Sequence, residues 1–227
     1  MKKRSNFFDL LLFFIVIAEF FGSLLNKNLI YYIANLSFVP LLVIYFLYIT
    51  RLKNNKFSLY IIFGLLLSWC AEWIKIIDNG ESIYFILNAM LWTIVCLLFS
   101  FAMYNKIKSK HRTSILSFDP LISLPIFIVI GIIYYVLFPF LELLNIPAII
   151  ILVSSGLLFT SALSRNNKTS QMSFRYMYRG SLFFTLFIIS MLLYQFVNFQ
   201  YGNLSSIIFY SLAQYLITRG AIEHLKN

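Results

Sequence analysis

Few residues in this chain combine a reactive side chain with a place where ordinary solvation is denied. They are Glu19, Glu72 and Lys75, with Asn35, Asn88, Gln195 and Gln214 as neutral polar companions. Each lies within or at the edge of a long apolar run. A charged acid or base at the centre of a membrane helix costs roughly 2.5–3.5 kcal/mol on insertion scales, so such groups are functional candidates by default. Two carboxyl groups in a dry site can divide proton donation and acceptance between them if their surroundings differ. The chemistry they could do is acid/base hydrolysis, which calls for no metal and no cofactor.

Little else in the sequence reacts. The two histidines, His111 and His224, fall in a loop and in the C-terminal tail. No Ser–His or Glu–His dyad can form inside an apolar run, and there is no HExxH, paired CxxC or P-loop. Intramembrane serine and metal proteases fit poorly. Cys70 and Cys96 lie in the third and fourth runs. Those runs are antiparallel, so the thiols sit at different depths and no disulfide is expected; both read as small buried hydrophobes.

The elements that must position these residues are membrane helices. Of 227 residues, 61% are hydrophobic and 11% charged, with a mean hydropathy of +0.85. A soluble domain is nearer half apolar and about a quarter charged. Eight runs approach the roughly 20 residues a spanning helix needs. They cover about 7–25, 29–48, 57–77, 82–103, 121–139, 146–163, 180–199 and 204–218. The expectation is an all-α polytopic membrane protein, an eight-transmembrane-helix bundle forming a single integral membrane domain over 1–227.

Charge gives the orientation. The net charge is +10. Sixteen of the 18 basic residues fall at the N-terminus (Lys2, Lys3, Arg4), in the even-numbered loops (Arg51, Lys53, Lys56; Lys106, Lys108, Lys110, Arg112; Arg165, Lys168, Arg175, Arg179) and in the tail (Arg219, Lys226). The other side has Lys27 and Lys75, with Asp78, Glu81 and Glu142. The positive-inside rule then places both termini in the cytoplasm, N-in and C-in. Basic residues confined to short loops are topology signals and do not indicate a nucleic-acid partner. The first run follows three basic residues as a signal peptide would, but no small-x-small site follows it and Glu19 interrupts it, so it reads as a retained helix. The cytoplasmic membrane of a bacterium is the expected location.

At about 1.5 Å per residue, Glu19 lies roughly 18 Å and Glu72 roughly 22 Å from the cytoplasmic ends of their helices. Asn35 and Asn88 lie roughly 9 Å from the outer ends of theirs, Gln195 lies near the outer end of the seventh run, and Gln214 lies near mid-membrane. Most intramembrane polarity thus falls in the outer half of the bilayer, as one cavity would require. Asp9 reads as a solvated or capping residue at the cytoplasmic interface, and Asp119 lies near a span end. Plainer readings stand beside these. Glu72 and Lys75, three apart, could be a simple ion pair with Lys75 snorkelling outward. Glu19 could be protonated and hydrogen-bonded to a neighbouring helix. Asn35 and Asn88 could be interhelical glue.

The spans resemble a known family. The closing segment SIIFYSLAQYLITRG (Ser206–Gly220) is similar, through Tyr210, Ala213 and Gln214, to the Tyr-x-x-Ala-Gln helix of the YhhN-like membrane proteins, which include the lysoplasmalogenases. FGLLLSWCAEW (Phe63–Trp73) resembles that family's Gly-Leu-x-x-Ser-x-x-Gly-Asp segment at Gly64, Leu65 and Ser68, with Glu72 on its first aspartate. Pro40-Leu41 resembles its early Pro-Leu. The resemblance implies hydrolysis of the vinyl ether of a lysoplasmalogen to a fatty aldehyde and a glycerophospholipid. It also implies a catalytic role for Glu72 and a membrane lipid or lysolipid as partner. The family's second aspartate falls on Ile188 or Met191, and Trp92, Cys96 and Phe99 stand where the family tends to have Phe, His and Tyr. Glu19 is then the candidate second carboxylate. Asn35, Ser68, Asn88, Gln195, Tyr210 and Gln214 are the candidate substrate-binding residues. The alternatives are a non-catalytic lipid-binding or transport protein on the same scaffold, and a structural subunit of a membrane complex.

Overall fold

Hydrocarbon offers no partner for a backbone N–H or C=O, so a chain crossing it must pair them within each segment. The computed structural model is all-helical over the residues it describes, 2–51, 55–78, 81–105 and 120–226. Lys53, Lys106, Lys108, Lys110, His111, Arg112 and Asp119 lie outside them. Among the described residues there are eight α-helices: α1 (Lys2–Leu24), α2 (Asn28–Thr50), α3 (Lys56–Ile77), α4 (Ser82–Asn105), α5 (Pro120–Leu141), α6 (Asn145–Leu163), α7 (Gln171–Val197) and α8 (Gly202–Lys226).

Six stretches are long and apolar enough to cross a membrane. One of them is 40 residues, Leu124–Leu163, about twice what a bilayer core needs. The chain breaks it at Glu142, where φ is 44° and a single 3-10 turn, Glu142–Leu144, separates α5 from α6. A Cβ on Gly156 would meet Ile130 and Phe127, residues about equally far from that turn on its other side, so α5 and α6 form an antiparallel hairpin. The helix α8 is not among the six. Its Ser, Thr, Gln and Arg lower its hydropathy, and most of them are buried against the other helices.

Six helices pack side by side in a closed ring in the order α2, α3, α4, α6, α7, α8 and back to α2. The remaining two lie outside it, α1 against α2 and α8, and α5 mainly against α6 and α7. Phe7, Phe13, Phe14 and Phe21 of α1 are exposed, as on a helix with lipid around most of its circumference. The tightest seam joins α7 and α8. A Cβ on Gly180 would lie 2.9 Å from the backbone N of Ile217, an approach only a glycine permits.

The basic ends of the helices meet at one end of the bundle. Arg165 donates to the carbonyl of Met103 at 2.7 Å and lies over the Phe57 ring, which packs against His224 at 4.7 Å. Asp9 is not simply solvated. It accepts from Tyr215 at 2.9 Å and pairs with Arg219 at 3.3 Å, whose other nitrogen donates to Tyr45. Three helices extend well past their apolar runs, and the first of them begins at Lys2 and not at Phe7. The seventh begins at Gln171 and not at Gly180, and the eighth runs to Lys226 and not to Thr218. Basic side chains end an apolar run without ending a helix. Cys96 is buried as expected; Cys70 is exposed on the outside of α3, and neither is in a disulfide.

Pro40 lies inside α2. It has no N–H, so the carbonyl four residues back, Leu36, loses its helical donor. The Trp69 indole of α3 replaces it, donating to Leu36 O at 2.9 Å. Trp69→Phe is therefore expected to lower stability by about 1 kcal/mol, and by less in a Pro40→Ala background, where the helix supplies its own donor. A double-mutant cycle on melting temperatures in detergent measures the difference; equal losses in both backgrounds would refute the assignment.

Candidate functional site

Asn35 is the joint of the site. It is buried on α2 between Glu19 of α1 and Glu72 of α3, both at most 2% exposed. Its amide nitrogen donates to Glu19 Oε1 at 2.8 Å and to Glu72 Oε2 at 2.9 Å. An amide NH2 has two hydrogens and a carboxylate only accepts, so the nitrogen must face the two acids. The carboxyl oxygens are no farther apart than two hydrogen bonds end to end, about 6 Å. One turn beyond Glu72, Lys75 Nζ lies 3.9 Å from Glu72 Oε2, beside the Tyr31 hydroxyl. The ion pair is thus present, at the rim of the site. Glu19 Oε2 and Asn35 Oδ1 are buried without a hydrogen-bond partner.

The floor of the site comes from α3 and α8. Ser68 lies one turn from Glu72 and spends its hydroxyl hydrogen on Leu65 O at 2.7 Å. The Tyr210 hydroxyl sits beside Ser68 and near Glu72, without a well-formed hydrogen bond of its own. Its ring is held by Trp92, Phe187 and Phe38, with centroids 5.6, 5.2 and 6.3 Å away. Gln214 follows one turn along α8, fully buried, with both amide atoms unpartnered.

Of the residues singled out from the sequence, the structure gathers Glu19, Asn35, Glu72, Ser68 and Tyr210, with Gln214 next along the same helix face. Asn35 does act as interhelical glue, and what it joins are the two acids. Asn88 is half-buried on α4, and no hydrogen bond ties it to this group. Gln195 is exposed on α7 and turned away from the interior; its depth was legible, its direction around the helix was not. Tyr31 is a site residue the sequence reading missed. The four-residue spacing of Tyr31 and Asn35, which puts both on one face of α2, was the available signal.

The wall formed by α4 and α7 is apolar. Trp92, Cys96, Phe99, Phe184 and Ile188 are fully buried or nearly so, and Met191 is buried. Neither position aligned with a second acid in α7 carries one.

The sequence model of the YhhN family matches residues 30–221. The chain belongs to the YhhN family. No curated protein and no solved structure matches it. The match begins after α1, so one of the two carboxyl groups at this YhhN site, Glu19, comes from a helix outside the matched stretch.

Removing the bridge leaves two acids buried with no common donor. Asn35→Leu is expected to lower stability by about 1–3 kcal/mol, the penalty for unsatisfied buried polar groups. Adding Glu19→Leu should recover part of it. Thermal melting of the purified variants in one detergent checks both, and a double variant less stable than Asn35→Leu would contradict the bridge.

Proposed function

We propose that this YhhN protein is a lysoplasmalogenase-like hydrolase, cleaving the vinyl ether of a lysolipid with Glu19 and Glu72 as acid and base. The observation that carries the reading is the pair of buried carboxyl groups bridged by Asn35. The setting goes with it: eight crossings with both termini in the cytoplasm of a bacterial cell. In favour of that setting are the clustering of basic helix ends at one end of the bundle and the inward-facing polarity of α8. The carboxyl pair is then nearer the outer surface.

A vinyl ether needs one proton on carbon and one water. A single lysine, Lys75, balances one carboxylate, and it stands beside Glu72. Glu72 is the base, and Glu19 holds the proton on its unpartnered Oε2. Glu19 protonates the alkenyl carbon remote from the ether oxygen, and positive charge develops on the ether-bearing carbon. Water adds there while Glu72 accepts its proton. The resulting hemiacetal collapses to a fatty aldehyde and a free glycerol hydroxyl. The proton on Glu72 returns to Glu19 through solvent, and the pair is reset. Asn35 orients both acids throughout, since it donates to each. The separation of the carboxyl oxygens is of the order used by glycosidases for the same division of labour, roughly 5–10 Å.

The apolar residues Ile188 and Met191, where the family's second acid would stand, favour a different reading, a lipid carrier without chemistry. One assay separates the two. Purified protein is incubated with lysoplasmalogen and aldehyde release is followed through a coupled alcohol dehydrogenase. Release is expected, with Glu72→Gln and Glu19→Gln each lowering it by about 10²-fold or more. Undiminished release in Glu72→Gln would sink the mechanism. No release from the native protein, with a lysolipid retained in native mass spectrometry, would establish the carrier.

A further inference from the structure

Beyond the carboxyl pair, the interior holds a row of polar atoms with nothing to bind. On α8 these are the Tyr210 hydroxyl, both amide atoms of Gln214, the Thr218 hydroxyl and the Ser211 hydroxyl, all on side chains at most 3% exposed. Tyr210, Gln214 and Thr218 are spaced four apart, and Ser211 lies three before Gln214. At 3.6 residues per turn all four fall within about 100° of one helix face, a stripe about 12 Å long. Gly180 of α7 meets Ile217 and Ala213, and Asp9 of α1 meets Tyr215 and Arg219. The stripe lies between those two contacts and faces inward.

The row continues on α3, which runs antiparallel to α8. Tyr210 meets Ser68 near one end, and His224 meets Phe57 near the other. Ser58, beside Phe57, has another buried hydroxyl whose oxygen is unpartnered. It lies on the same face of α3 as Glu72 and Ser68, about 21 Å from Glu72. Over Phe57 sits Arg165, fully buried, with Nε and Nη2 unpartnered. Burial pushes its guanidinium down to about 10.

One or two unsatisfied buried groups are tolerable in a folded protein. A whole row of them is not, because each costs about 1–3 kcal/mol when dry. Buried water is the ordinary remedy where a site offers it two to four polar partners. We propose that water fills this row, forming a lane from the basic end of the bundle to the carboxyl pair, and that it delivers the water consumed at Glu19 and Glu72. The delivery rests on the hydrolytic reading above; the hydration does not. Arg165 at the mouth gives the lane its selectivity. A fixed guanidinium repels hydronium and metal cations while its free N–H groups bind water, as in water-selective pores. The lane therefore supplies water without passing cations across the membrane.

X-ray hydroxyl-radical footprinting of the intact protein in detergent tests this, because radicals formed from bound water mark buried side chains beside it. Tyr210 is the reporter. Phe184, equally buried but surrounded by Trp92, Phe99 and Phe187, is the dry control. Tyr210 is expected to be marked well above Phe184. In the Gln214→Leu, Thr218→Val double variant, Tyr210 marking should fall to the Phe184 level and the kcat for aldehyde release should fall with KM unchanged. If the double variant does not fold, Thr218→Val alone should lower the marking part-way. Tyr210 as protected as Phe184 in the native protein, or marking unchanged in the variants, would overturn the lane. Marking without any aldehyde release would leave the lane and overturn only its destination.

Discussion

One amide group, the side chain of Asn35, holds the polar interior of this protein together. In hydrocarbon an isolated carboxyl group has no solvent to turn to, so its position is set by whatever donor is built beside it. Asn35 supplies a hydrogen to each of two acids and so fixes α1, α2 and α3 with a single side chain. Its own position is fixed from the backbone. Leu36, the next residue, gives its carbonyl to Trp69 of α3, an arrangement that exists because Pro40 withholds the helical donor. A proline that looks like a defect in a membrane helix thus registers α2 against α3 one residue from the joint.

The contribution of α1 is less secure by burial and more dependent on polar ties. It lies outside the ring and turns much of its surface outward, yet Glu19 is fully enclosed. Besides the Asn35 bridge and the packing of Phe8 on Tyr45 and Tyr48, three further contacts hold it. Asp9 pairs with Arg219 and accepts from Tyr215 near one end. Asn203 donates to Ser23 at the other, at 3.1 Å. Between them Gly22 lies so close to α2 that a Cβ there would be 2.7 Å from the Tyr31 nitrogen. Apolar packing distinguishes poorly between a neighbouring helix and lipid tails, since both are equally apolar. Polar contacts near both ends and one close backbone approach are therefore what place the second acid.

The sequence made the class and the segments legible, because those follow from quantities that add along the chain. Apolar run length marked the helices, and basic loops marked the ends that turn out to meet. Direction around each helix was not legible. Most runs are apolar all round, and a helix without a polar face announces no neighbour. That is why Gln195 could be placed in depth and still be turned outward, and why nothing in the order of residues put Glu19 beside Glu72. Residues with a four-residue spacing on one helix, such as Tyr31 and Asn35 or Tyr210 and Gln214, carried the direction that could be read. Helix ends were misplaced where charge and structure part company: Arg175 and Arg179 interrupt hydropathy, but α7 continues through both.

The interior is lopsided, and the imbalance limits what the scaffold can do. Toward α4 and α7, the side chains are Trp92, Cys96, Phe99, Phe184, Phe187 and Ile188, closely packed and largely apolar. Toward α2, α3 and α8 lie both acids, their bridge and the unpartnered hydroxyls and amide of the α8 stripe. A second acid on α7 would have to ionise or stay protonated against an aromatic wall. On α1 it shares a donor with the first acid. The two locations are not equivalent, since a carboxyl pair tied by one amide moves and orients as a unit, and a change at either acid is felt by the other through Asn35. Tyr210 stands on the boundary, its ring among the aromatics and its hydroxyl among the polar atoms. The closing helix thereby joins the dry half of the bundle to the polar one.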